Sequence, residues 1–179
     1  MSPYLALPRS INTGKRKVLK DDLLGVARDL GFTSAKTYLA SGNLVLWGDH
    51  EGGLVLEKAL EDALEARMGL RTDFMVRSPA ELRAIIHGNP FKAEALDHPS
   101  HVIVNFLKRP LPAEDETILR EAITGPERFV VGARELYLDF PISMADSVLD
   151  RDWKKTKRSP VGTTRNWNTV MALAGMMDA

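Results

Sequence analysis

The chain has 179 residues, 44% of them apolar, with 24 basic and 24 acidic side chains and no cysteine. That supplies enough apolar material for a normal core, and it excludes disulfides, thiolate catalysis and cysteine-ligated zinc. No apolar run approaches the roughly 20 residues of a membrane-spanning helix. The opening MSPYLALPRS has no basic leader before an apolar stretch, so no signal peptide is expected, and a cytoplasmic location is.

The elements follow in chain order. Tyr4 to Leu7 reads as a strand ended by Pro8, followed by the polar loop RSINTGKRK. KDDLLGVARDLGF spaces Leu23, Leu24, Ala27 and Leu30 as a helix does, with Asp21 and Asp22 in its first turn and Gly31 as the stop. KTYLASGNLVLW predicts a hairpin turning at Gly42-Asn43. GLVLEKALEDALEARMGL puts Leu56, Leu60, Ala63, Leu64 and Met68 on one helix face, and RTDFMVRS is a strand. The order β-α-β-β-α-β is the ferredoxin-like pattern. Ser78-Pro79-Ala80-Glu81 is a capping box opening a short helix. NPFKAEALDHPS reads as the connection between halves.

The second half repeats the order of elements. HVIVNFLKR is a strand and PAEDETILREAIT a helix with Ile118, Leu119, Ala122 and Ile123 inward. RFVVGARELYLDF is a hairpin at Gly132-Ala133, and SMADSVLDRDWKK is helical. No final strand is visible in this half. A basic loop leads instead to a helix from about Arg165 to Met177, with Trp167, Val170, Met171, Ala174 and Met177 on its apolar face and Thr163 or Thr164 as N-cap. The expectation is an α+β protein of two ferredoxin-like halves, residues 1–92 and 93–179, packed as one unit with a C-terminal helix.

Charge is uneven although the total is zero. Residues 1–20 hold Arg9, Lys15, Arg16, Lys17 and Lys20 and no acid. Residues 151–165 hold Arg151, Lys154, Lys155, Lys157, Arg158 and Arg165 against Asp152. Each segment is net +5, which makes either two solvated loops or one basic face. GTTRNWNTV, Gly162 to Val170, sets a guanidinium, hydroxyls and carboxamides at a predicted helix start, where free amides also point. Such a combination binds anions. The expected anion-binding residues are therefore Arg9, Asn12, Lys15 and Arg16 from the first loop, with Thr164, Arg165 and Asn166 from the last.

GTTRNWNTV also resembles the C-terminal signature of the domain-of-unknown-function 1697 family of bacterial proteins. Tyr4-Leu5-Ala6-Leu7, the loop Arg9-Ser10-Ile11-Asn12-Thr13-Gly14-Lys15, the run Thr37, Tyr38, Ser41, Gly42 and Asn43, Asn89-Pro90-Phe91 and the segment from Gly132 to Leu138 extend the likeness along most of the chain. Ser10 and Lys15 stand where the family has glycine, Ala40 where glutamine is common, and Val148 where a lysine is often seen. The resemblance implies the two ferredoxin-like halves and a bacterial, cytoplasmic protein. It implies no catalytic residue, because the family has no established biochemical function.

Other chemistry is not signalled. NTGKR lacks the first glycine and the hydroxyl residue of a phosphate-binding loop. His98 and His101 flank Pro99 in a loop and do not frame a metal site. No Gly-x-Ser-x-Gly, nucleophile–base pair or cofactor motif is identified. Tyr38, Phe74, Phe106, Phe129, Tyr137 and Phe140 alternate with apolar residues and read as core rather than as an RNA-stacking platform. The first expectation is a binding protein whose basic face engages nucleic acid or a phosphorylated small molecule, with no cofactor, metal or membrane partner. An enzyme using the same anion pocket and a protein–protein interaction module are the alternatives. The sequence does not set an oligomeric state.

Overall fold

The computed structural model describes residues 2–14 and 17–178. Lys15 and Arg16 lie outside the described residues. The chain divides into two compact units, one running to Ala84 and including the segment from Ala172, the other from Ile85 to Met171.

The first unit is built from β1 (Ser2–Pro8), α1 (Lys20–Asp29), β2 (Ser34–Tyr38), β3 (Asn43–Gly48), α2 (Gly53–Met68) and β4 (Phe74–Arg77). Its antiparallel sheet has the order β2-β3-β1-β4. Alternation along the strands sends Ala6, Leu44, Leu46, Phe74 and Val76 to one face, where they bury against Leu23, Val26 and Ala27 of α1 and Leu56, Leu60 and Leu64 of α2. Leu60 and Leu64 are completely buried, so each contributes about 1.5–3 kcal/mol of transfer free energy. The helix ends at Gly69, whose left-handed φ of 67° suits glycine.

One turn differs from the expected pattern. The hairpin connection spans residues 39–42 rather than Gly42-Asn43. Asn43 is the first residue of β3, and its Nδ2 donates to the Tyr38 carbonyl (2.7 Å) and Ser41 Oγ (3.0 Å), which closes the longer turn. Gly42 has φ of 77°, and a Cβ there would lie 2.3 Å from Ile11 Cδ1, so both conformation and packing require glycine.

Next come α3 (Pro79–Gly88) and α4 (Lys92–Asp97). The capping box forms: the Ser78 amide donates to Glu81 Oε2 (2.7 Å) and the Glu81 amide to Ser78 Oγ (3.2 Å). The stretch read as a plain connection contains α4, whose Glu94 pairs with Arg128 at 2.6 Å.

The second unit continues with β5 (Val102–Leu107), α5 (Ala113–Glu121), β6 (Arg128–Val131), β7 (Glu135–Asp139), α6 (Leu149–Thr156) and β8 (Gly162–Asn166). Its sheet order, β6-β7-β5-β8, repeats that of the first. Both units are thus complete βαββαβ arrangements, and the fold is α+β with two ferredoxin-like halves. The eighth strand corrects the expectation of a loop. Residues 162–166 pair with β5, Thr164 opposite Asn105 and Arg165 opposite Val104. Two adjacent β-branched threonines suit a pleated strand better than a helix start. The C-terminal helix α7 (Trp167–Asp178) therefore begins later. It buries Thr169, Val170, Leu173 and Met177, while Met171 is exposed and Trp167 only half-buried.

The tryptophan that anchors this unit is Trp153 of α6. It is 7% exposed, packs edge-on against Phe129 at 5.2 Å, and donates its indole N–H to the Leu119 carbonyl at 3.1 Å. One residue earlier, the buried Asp152 carboxylate accepts from the Thr124 hydroxyl (2.5 Å) and amide (3.1 Å) and from Arg151 (2.9 Å). The Thr124 hydroxyl chiefly, against the opposing effect of burial, and then Arg151 and the Thr124 amide, hold its pKa at about 2 instead of 3.8. A carboxyl depressed on folding stabilises the protein above its unfolded pKa and loses that contribution as pH falls through its folded one. The melting temperature should therefore fall between about pH 4 and pH 2, and Asp152→Asn should flatten that part of the profile in calorimetry. An unchanged profile would show that this carboxylate does not control acid stability.

Candidate functional site

The expected anion-binding residues divide between the two units, and each set has its own local logic. Arg9 follows β1. Its amide donates to the Asp73 carbonyl at 2.9 Å, its carbonyl accepts from the Thr72 hydroxyl, and its guanidinium stands 3.6 Å from Asp73. Asn12 joins two loops: its Nδ2 donates to the Ala40 carbonyl (2.6 Å) and its Oδ1 accepts from the Val18 amide (2.8 Å). A short polar side chain in a left-handed backbone suits this role.

Backbone strain is concentrated here. Among the described residues the non-glycine positions with positive φ are Ser10, Asn12, Leu39 and Lys157, and the first three belong to the loop after β1 and the turn after β2. Each left-handed non-glycine costs on the order of 1–3 kcal/mol, and such residues concentrate at ligand clamps and active sites. Between these segments lies a cleft of about 330 Å³, lined by Asn12, Val18, Lys20, Thr37, Leu39 and Gly42 among others. Among the described residues no carboxylate lines it. Carboxylates do line the clefts at Glu61–Asp73, at Asp22–Arg67 and beside Trp153.

The second set is arranged differently from the expected helix start. Thr164 is exposed on β8, and Arg165 points to the opposite face of the strand, where it is 8% exposed. Arg165 Nη1 donates to Thr163 Oγ1 (2.8 Å) and to the Thr164 carbonyl (2.7 Å). Burial pulls its pKa down to about 10, so it stays charged at neutral pH. Asn166, not a threonine, caps α7: its Oδ1 accepts from the Thr169 amide at 3.0 Å.

The basic stretches also differ in how far carboxylates neutralise them. Arg151 pairs with Asp152, Lys154 with Asp150, Lys155 with Asp152, and Arg158 with Asp115. Lys17 and Lys20 are exposed and make no ion pair among the described residues. The first three of the ion pairs lie within four residues of one another in sequence; residue spacing could not reveal the fourth, because Asp115 comes from α5.

Of the remaining sequence candidates, Phe74, Phe106, Phe129, Tyr137 and Phe140 are buried and cannot stack on bases. The Tyr137 hydroxyl donates to the Ile85 carbonyl at 2.8 Å, and burial raises its pKa. The His98 and His101 rings lie 5.6 Å apart, and no group of three or more metal-ligating side chains assembles among the described residues. No helix among them is long and apolar enough to cross a membrane.

Comparison with known proteins agrees with this architecture. The family model for proteins of unknown function DUF1697 matches residues 1–137. The solved structure of the conserved bacterial protein SP0830 from Streptococcus pneumoniae superposes with a TM-score of 0.81 at 20% identity, covering 100% of this chain and 99% of that one. At that identity the likeness shows the fold. A search of curated proteins finds no match.

Proposed function

The chain belongs to the DUF1697 family of proteins of unknown function, and we propose that it is a binding protein that takes a phosphate-bearing ligand in the cleft of its first unit. The observation that carries this reading is the cleft's wall. Among the described residues, Lys20 lines it without an ion pair and no carboxylate faces it, and strained backbone at Ser10, Asn12 and Leu39 flanks it. Lysine ammonium groups serve as point charges for phosphate, and the polar groups of Asn12 and Thr37 orient it. Lys15, Arg16 and Lys17 of the same loop add charge by sequence. In the second unit, Arg165 is buried on a strand face, and Arg151, Lys154, Lys155 and Arg158 are each held in an ion pair.

Fluorescence anisotropy and calorimetry test the reading with tripolyphosphate, labelled single-stranded RNA and labelled duplex DNA at low and moderate salt. Salt-dependent binding is expected, weakened about tenfold or more by Lys15→Ala/Lys17→Ala/Lys20→Ala. Binding of tripolyphosphate alone would mark a small phosphorylated ligand, and preference for RNA or DNA a nucleic acid. No binding of any probe at low salt, or equal binding by the triple variant, would overturn the proposal.

A further inference from the structure

The cleft of the first unit has an apolar side besides its charge. Val18, Leu23, Leu39 and Ala40 line it together with Asn12, Lys20 and Thr37. Val18 and Leu23 are buried, while Leu39 is 58% exposed. At about 330 Å³ the space exceeds what a phosphate group alone fills and lies at the lower end of the roughly 300–1,000 Å³ of small-molecule sites. The acids that follow Lys20 in sequence, Asp21 and Asp22, do not line it. Asp22 instead accepts from the Leu19 amide at 2.9 Å and lines a different cleft.

Local rules disfavour leucine at position 39. Its φ is 61°, a left-handed backbone that glycine or asparagine adopts at little cost and a bulky side chain does not. The exposed side chain gains little packing in return. Leu19, between the lining residues Val18 and Lys20, repeats the pattern. It is the N-cap of α1 and makes no side-chain hydrogen bond there, where serine, threonine, aspartate or asparagine would accept from the first turn. It is also 65% exposed. A single exposed leucine is ordinary on a protein surface. Two that each break a local preference, one in the cleft and one beside its lining, are not accounted for by folding, and such conflicts concentrate at functional sites. A bound apolar group would supply the burial that Leu39 lacks.

We propose that the cleft takes a small phosphate ester whose organic part is apolar, its phosphate at Lys20 and its apolar part against Leu39. This rests on the phosphate site proposed for the first unit and adds what the phosphate is attached to. A sugar phosphate of similar size would lose the hydration of its hydroxyls against Leu39 and Val18. Titration of the ¹⁵N-labelled full-length protein with phenyl phosphate, glycerol phosphate and phenol tests it. Phenyl phosphate should shift the amides of Thr37, Leu39 and Gly42 saturably and bind about tenfold more tightly than glycerol phosphate. Phenol, which lacks the charge, should bind more weakly than phenyl phosphate. Leu39→Asn should raise the melting temperature by about 2–4 °C, keep the affinity for glycerol phosphate, and bring the two esters to within about threefold of each other. Leu39→Met should keep the preference. Equal binding of the two esters, or an unchanged preference in Leu39→Asn, would overturn the inference while leaving the phosphate site standing. So would tripolyphosphate binding with no shift from either ester. No shift from any of the three phosphates would overturn both.

Discussion

Arg165→Ala is expected to lower the unfolding free energy by about 3 kcal/mol and to leave tripolyphosphate affinity unchanged. The side chain is long, sits on an inner strand face and is 8% exposed, so truncation leaves a void that neighbouring strands can fill only in part. It also withdraws the donor held by Thr163 Oγ1 and the Thr164 carbonyl at 2.8 and 2.7 Å. Arg165→Lys keeps the charge but not the planar fork, and should fall between the two. Urea denaturation gives the stability change, and calorimetry on the folded variant gives the affinity. A loss below about 1 kcal/mol would contradict the buried role. A folded variant that no longer binds tripolyphosphate would return Arg165 to the ligand.

This residue also shows where sequence reading runs out. Residues 162–166 carry chemistry that looks like an anion site if they start a helix, and a strand if they pair with β5. Periodicity from Trp167 onward favours the first, but nothing local reveals the partner strand that decides the second. Elements with strong local signals were legible: α1 and α2 by their apolar spacing, α3 by its capping box. The first loop and the turn after β2 meet through Asn12, whose side chain bonds the Ala40 carbonyl, and through Gly42, which packs on Ile11. An asparagine within the apolar run HVIVNFLKR is visible in the sequence, but that its side-chain oxygen is buried without a partner among the described residues is not.

The other large effect is expected at Glu57. The outer strand of the first sheet, β4, turns the amides of Phe74 and Val76 away from β1, and an open edge of this kind invites pairing with another chain. Here α2 closes it. Glu57 Oε1 accepts from the Val76 amide at 3.0 Å, and Glu61 Oε1, one helical turn on, accepts from the Phe74 amide at 2.9 Å. The spacing of four residues along the helix matches two along the strand, because both advance by about 6 Å. Glu57 is completely buried, so Glu57→Ala leaves a buried amide without its acceptor and a void beside it, at a cost of about 2–4 kcal/mol. Glu57→Gln retains an acceptor oxygen and should cost less. Glu61→Ala should cost least, because its site is only half-buried and water can replace the carboxylate. Chemical denaturation orders the three variants, and size-exclusion chromatography shows whether the opened edge of Glu57→Ala self-associates. An alanine variant as stable as the parent would mean that the helix packs on β4 through its leucines alone, and that its carboxylates are not what protects the edge.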